Sequence, residues 1–411
     1  MQNFINKHFY ELFIVTWLLG IVFYGVIRLE FIDELCAAVL VLMLVFFVFK
    51  TPDWRMNKMF LFTLFVFLFY LGYSIYIESN TTRSIFIDFL IQLKPYLAFF
   101  CVYQLTPKFS KDQRKLLKDV SCVIWCLLLL VGFASLFVHK LLFKVMSHPT
   151  AFAAAVVGTS LVYLYSSNYT LKDKLIFLVM LSLGIFSGRA KFYGFLACAT
   201  VAVLYFSSPK NLRLSTKNIV MFAVMTILVV AVGWQKIEFY FVQGATGEEK
   251  DYLARFVLYI TSGSIFIDYL PFGSGLASFA THASRIDYSP VYSEYGIDHV
   301  WGLSKSYSAF IADTYYPSLA QFGVVGVLLY ILFWVYILKK AFRYFQRKNN
   351  TRLIIMSLLI IGYLTIENVA DATFTSNRGL FMMMFLGLIL SEQKESETED
   401  ELPVRAEGGN R

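Results

Sequence analysis

Arg189 and Lys191 stand two residues apart in IFSGRAKF (185–192), a short glycine-containing turn between two apolar runs. Further along, Arg255 opens ARFVLYITSGSIFIDYL (254–270), and Asp313 follows Ala312. Glu367, Asp371 and Arg378 then crowd into IENVADATFTSNRG (366–379). Ionisable side chains at the edge of apolar runs are costly to bury, so they are functional candidates by default. Guanidinium groups stay charged and grip phosphate oxygens through paired N–H bonds, which suits a diphosphate at the depth of lipid headgroups. A carboxylate or a histidine beside them can take a proton from a hydroxyl. The competing role for a single charge at a span end is to meet headgroups by snorkelling. Arg189 departs from that role because its turn is too short for a loose anchor. Lys94, near the middle of the run around LIQLKPY, is too deep to snorkel and predicts a partner inside the bundle, with Asp88 the nearest carboxylate on its own run. Asp33 and Glu34 in FIDEL read as capping and topology signals.

The elements that must position these groups are membrane spans. Of 411 residues, 58% are hydrophobic and 16% charged, and the mean hydropathy is +0.62. A soluble domain of this length could not bury so much apolar surface. Twelve apolar runs approach the roughly 20 residues that a span needs, near 10–27, 34–49, 59–77, 85–104, 119–138, 149–166, 175–187, 192–207, 218–235, 318–338, 353–371 and 379–391. The pair at 175–187 and 192–207 is short, as tilted or partly re-entrant segments would be. Cysteines 36, 101, 122, 126 and 198 all fall within apolar runs. Cys122 and Cys126 share a helix face with no third ligand nearby, so neither a metal site nor a disulfide is expected.

Orientation follows from Lys and Arg in the short loops. With the N-terminus inside, the inner segments carry 20 basic residues and the short outer loops seven. That bias predicts twelve spans with both termini cytoplasmic, and it explains the net charge of +8 without nucleic acid. The expected organisation is nine spans over 1–235, a large outer loop over 236–317, three spans over 318–392 and an acidic, disordered cytoplasmic tail over 393–411. The outer loop holds ten tyrosines and Trp301, flat faces suited to sugar rings. It also contains the turn-rich PFGSGLASF (271–279), and 256–270 has the pattern of an amphipathic interfacial helix. Loops this long on compact proteins are usually functional.

Three motifs occur in order: IFSGRAKF (185–192), ARFVLYITSGSIFIDYLPFGSGLASF (254–279) and ADTYYPSLAQFGVVGVLLYILF (312–333). In that order they resemble the bacterial O-antigen polymerase/ligase superfamily, over essentially the whole chain. FIDEL and YGIDHVWGLSKSYSAFIADTYYP (295–317) resemble its O-antigen and capsule polymerases in particular. The resemblance implies a metal-independent, cofactor-free, inverting glycosyl transfer on the outer face of a bacterial inner membrane. Donor and acceptor would be glycans on undecaprenyl diphosphate, with membrane lipids around the enzyme and a chain-length regulator as a further partner. Arg189 and Arg255 would bind the diphosphate, helped by Lys191, Arg378 and Lys305. The ligase branch carries a histidine where this chain has Ala312, next to Asp313, which nominates Asp313, Glu367 or His299 as the base. Alternatives are a ligase that moves finished polymer to a terminal acceptor, and a flippase for lipid-linked oligosaccharides. The single outer loop and the absence of matched halves speak against the flippase.

Overall fold

The computed structural model describes residues 1–27, 29, 31–51, 56–212, scattered positions from 215 to 231, 250–348 and 350–406. The expected ninth span, at 218–235, lies largely outside the described residues, as does the start of the outer loop. The fold is all-helical, with 76% of residues in helices and no strand among those described. In chain order the helices are α1 (Gln2–Trp17), α2 (Ile32–Lys50), α3 (Lys58–Tyr76), α4 (Thr82–Leu105), α5 (Lys111–Ala134) and α6 (Pro149–Ser166). They continue with α7 (Leu171–Ser182), α8 (Ala190–Leu204), α9 (Lys250–Asp268), α10 (Gly323–Lys348), α11 (Thr351–Glu367) and α12 (Asn377–Ala406). Six helical stretches are long and apolar enough by themselves to cross a membrane: α2 to α6, and α10 together with the 3-10 turn Tyr316–Phe322 before it.

Local chemistry sets the helix starts. Ser110 and Gln113 form a capping box at α5, and Thr170 with Asp173 forms another at α7, each satisfying backbone N–H groups that a helix start leaves open. The short expected span at 175–187 is α7 prolonged by a 3-10 turn, Leu183–Ser187, which tightens the chain just before the IFSGRAKF turn. α12 runs on as helix to Ala406, where an unstructured tail was expected. Glu, Gln and Lys in EQKESETEDE are good helix formers despite their charge, which accounts for the difference.

Packing divides the helices into an inner and an outer set. α6 is buried along nearly its whole length, and α4 over two thirds, whereas α3, α5 and α10 leave most of their surface open. α12 crosses α4 at Gly387, where a Cβ would lie 2.6 Å from the Phe99 carbonyl oxygen. Close backbone approach at a small residue is how helices associate in lipid, where burying more apolar surface brings no gain.

The described part of the large loop has an apolar core of its own, built from Leu258 and Ile265 of α9 with Phe279, Tyr292, Leu303 and Ile311. Its PFGSGLASF strap is laced to the bundle. Tyr73 Oη donates to Gly273 O at 2.9 Å, Ser79 Oγ to Leu276 O at 2.7 Å, and Ala277 N donates to Asp88 Oδ2 at 2.8 Å. Asp88, fully buried, therefore holds the loop and does not meet Lys94 as expected. Gly273, with φ of +83°, lies so close to the chain at Gly323 that a Cβ would meet the Gly323 nitrogen at 2.3 Å. Both the left-handed backbone and the contact demand glycine. Gly273→Ala is expected to detach the strap, lowering thermal stability by about 2–3 kcal/mol. A thermal-shift assay on detergent-solubilised protein, with Gly263→Ala in open α9 surface as the control, checks this.

Candidate functional site

Gly188, with φ of +65°, turns the chain between the 3-10 segment and α8. It places Arg189 at the N-cap of α8 in an extended conformation, its backbone N–H 3.4 Å from Ser187 Oγ. From there the Arg189 guanidinium reaches across to His148, with Nη2 2.8 Å from Nε2. His148 is the N-cap of α6, and its Nδ1 accepts from Thr150 N at 3.3 Å. Nothing in the residue types around His148 marked it, because its partner lies 41 positions along the chain. Partial desolvation, and then the Arg189 charge, push the His148 imidazole down to about 4, so it is neutral at pH 7.

At the second residue of α8, Lys191 faces the end of α11. Its Nζ lies 2.5 Å from Glu367 Oε2, off the hydrogen-bonding direction, and 3.4 Å from Asp371 Oδ2. Arg378, in the first turn of α12, grips the same Asp371 with both terminal nitrogens, at 3.1 and 2.7 Å. Arg255 on α9 pairs with Asp313 through Nε at 2.7 Å and through Nη2 to the same oxygen. The loop is brought over α11 by Tyr259 Oη donating to Val369 O at 2.7 Å and by Tyr316 Oη donating to Thr365 O at 2.9 Å. Burial raises the Asp313 carboxyl above the ordinary carboxylate range, against the lowering pull of Arg255. Asp371 and Lys191 also act on it electrostatically, so the Arg255–Asp313 pair belongs to the same cluster.

Six of the residues picked from sequence thus converge: Arg189, Lys191, Arg255, Arg378, Asp313 and Glu367. His299 and Lys305 do not join them; both are exposed in the loop, and Lys305 lines a separate surface recess with Tyr288, Ser293 and Asp298. The tyrosines serve mainly as loop structure. Tyr292 is fully buried, bonded to Ser284 and Ala280, while Tyr288 and Tyr295 donate to Leu303 O and Asp268. Cys122 and Cys126 are exposed on α5, and no group of metal-ligating side chains occurs among the described residues.

Lys94 is buried and pairs with Asp33 and, at 2.8 Å, with Glu34. Asn377, oriented with its amide nitrogen inward, donates to both Asp33 oxygens at 2.7 and 3.0 Å. No side chain caps α2 at Phe31, contrary to the capping role expected of FIDEL; its carboxylates instead tie α2, α4 and the start of α12 together beside Arg378. Within α4 the correct partner was beyond reach of spacing, since Asp33 lies 61 residues from Lys94.

No protein-family model and no curated protein sequence matches this chain. The cluster therefore has to speak for itself. Lys191, Arg255 and Arg378 pair with three carboxylates at one end of the helices, and Arg189 is held beside them on His148. Guanidinium and ammonium groups held on carboxylates are chemically suited to exchange them for the oxygens of a multivalent anion.

The neutral state of His148 sets a pH dependence. Its folded value lies below the ordinary one of about 6.5, so it favours the folded state fully above that pH and loses the contribution as pH falls through about 4. Thermal stability should therefore drop between pH 7 and pH 4.5 by more in the native protein than in His148→Asn, which keeps a capping side chain but cannot take a proton. Melting curves of the two proteins at both pH values test this; equal drops would remove His148 as a titrating group.

Proposed function

We propose that this protein is a bacterial surface-polysaccharide polymerase, a metal-independent inverting glycosyltransferase that joins undecaprenyl-diphosphate-linked repeat units. In this reading it is a twelve-span protein of the cytoplasmic membrane with both termini inside, and the cluster faces the periplasm beneath the outer loop. The observation that carries the reading is the meeting of Lys191, Arg255 and Arg378 around Asp371, Glu367 and Asp313, with Arg189 beside them on His148. It gathers, from four separated stretches of sequence, the groups that a departing diphosphate and an attacking hydroxyl would require. The ordered motif resemblance supports the same reading.

In the proposed reaction the acceptor hydroxyl oxygen forms a bond to the donor's anomeric carbon. The bond from that carbon to the diphosphate oxygen breaks, and the electron pair leaves on the diphosphate. Arg189 and Arg255 stabilise the charge that develops there, with Lys191 and Arg378 behind them. Asp313 accepts the hydroxyl proton. Its resting contact with Arg255 gives the order of events: diphosphate draws the guanidinium away and leaves a carboxylate whose buried setting favours taking a proton. Glu367, nearly fully buried behind Lys191, balances charge and is poorly placed to meet substrate.

Deletion of the gene should leave single repeat units on the terminal acceptor, seen as loss of the ladder on a polysaccharide gel. Long polymer stranded on its lipid carrier would indicate a ligase instead, and repeats stranded inside the cell a flippase. Complementation with Arg189→Ala or Asp313→Asn should reduce extension by about 100-fold or more, with normal membrane insertion. Wild-type chain length in both variants would remove the cluster from the chemistry.

A further inference from the structure

A second cavity lies against the cationic cluster, between the outer loop and the ends of α2, α4 and α12. It has a volume of about 410 Å³, within the range of about 300–1,000 Å³ usual for small-molecule sites. Its lining is unlike that of the cluster. Asp33, Glu34 and Asp88 supply three carboxylates against Lys94 and Arg285, and Lys94 is already held between two of them. An excess of carboxylate repels an anion such as diphosphate. Carboxylates, amides and hydroxyls together instead match the donor and acceptor pattern of a polyol. Thr314 gives an independent sign of a missing partner: it lines the cavity and is fully buried, and its Oγ1 makes no hydrogen bond. Buried hydroxyls are nearly always paired, so an orphan in a cavity wall points to a ligand or water that it would meet.

Two chain segments are common to both sites. Ala312 and Thr314 of the cavity flank Asp313, and Ala372 and Asn377 adjoin Asp371 and Arg378. The wall between the cavity and the cluster is thus the stretch that holds Asp313.

We infer that this cavity is a sugar-binding site, distinct from the anion-binding cluster, that holds the hydroxyl-bearing end of the acceptor glycan next to Asp313. Naming the sugar as acceptor rests on the polymerase reading; the presence of a sugar site does not. Thr314 is its specificity contact, supplying a hydroxyl donor or acceptor, and the buried carboxylates fix the orientation of the ring.

The test uses protection from a thiol reagent on full-length protein in nanodiscs. Ala312→Cys, half-buried at the cavity wall, is introduced with Cys122, Cys126 and Cys198 changed to Ala, and the rate of maleimide labelling is followed. The probes are the oligosaccharide released by partial acid hydrolysis from the cell's own surface polysaccharide and, separately, inorganic diphosphate. The oligosaccharide should slow labelling at least fivefold in the millimolar range, with little effect from diphosphate. Adding Thr314→Val should raise the oligosaccharide concentration needed by about five- to tenfold, as expected for one lost hydrogen bond, while Thr314→Ser keeps the native value. Diphosphate protecting as well as sugar would overturn the inference, as would absence of protection by the oligosaccharide or an unchanged response in Thr314→Val. Protection by the oligosaccharide in a protein whose gene deletion leaves polymer length normal would support the sugar site and sink the polymerase reading. Lost polymer with no protection would do the reverse.

Discussion

Asp371 is shared by Lys191 and Arg378, and on that shared carboxylate the rest of this end of the bundle depends. Four cations brought to the end of an apolar bundle repel one another and lose hydration. Such an arrangement is tolerable only if carboxylates come with them. Asp371 lies in the turn after α11, so it is reached from α8 on one side and from α12 on the other. Glu367 is the last residue of α11, four positions earlier, and Asp313 is delivered from the loop. The helix order near this point follows: α8, α11 and α12 must adjoin, and the loop must fold back over them. The strap anchored by Asp88, Ser79 and Tyr73 enforces that return.

Much of this was legible in the sequence. Apolar runs marked the helices because a backbone in lipid has few alternatives to closing its own hydrogen bonds, and the helices described, α9 in the loop excepted, overlap those runs. The charges that mattered were visible because they are rare: Arg189, Lys191, Arg255, Arg378, Asp313 and Glu367 were each conspicuous against their surroundings. Their pairing was not visible. Lys94 meets Asp33 and not Asp88, because partners on different helices leave no trace in spacing. His148 escaped notice for the same reason. The tyrosines misled in a different way. Their count suggested sugar platforms, yet a loop with a small core needs large side chains whose hydroxyls can reach the backbone, and Tyr288 and Tyr292 serve that need.

Charge also separates the cluster from the neighbouring cavity. The cluster carries one cation more than its carboxylates, counting the residues described, and the neighbouring cavity one carboxylate more than its cations. Opposite local potentials on the two sides of Asp313 orient any ligand with an anionic and a hydroxyl-rich part before it makes close contact. The same arrangement keeps an anion out of the cavity and so leaves Asp313 approachable from that side.

The far end of α12 completes the picture. Glu392, fourteen residues after Arg378, is gripped by Arg114 of α5 and by the hydroxyl of Tyr165 on α6, and Arg352 of α11 reaches the Tyr165 carbonyl. At 1.5 Å per residue, α12 is a strut of roughly 21 Å between the two clusters. Gly387 seats it against α4, so it has little room to slide. The distance of Arg378 from the Glu392 cluster is thereby set by the length of that helix, so inserting or deleting a turn of α12 would shift one charged end against the other.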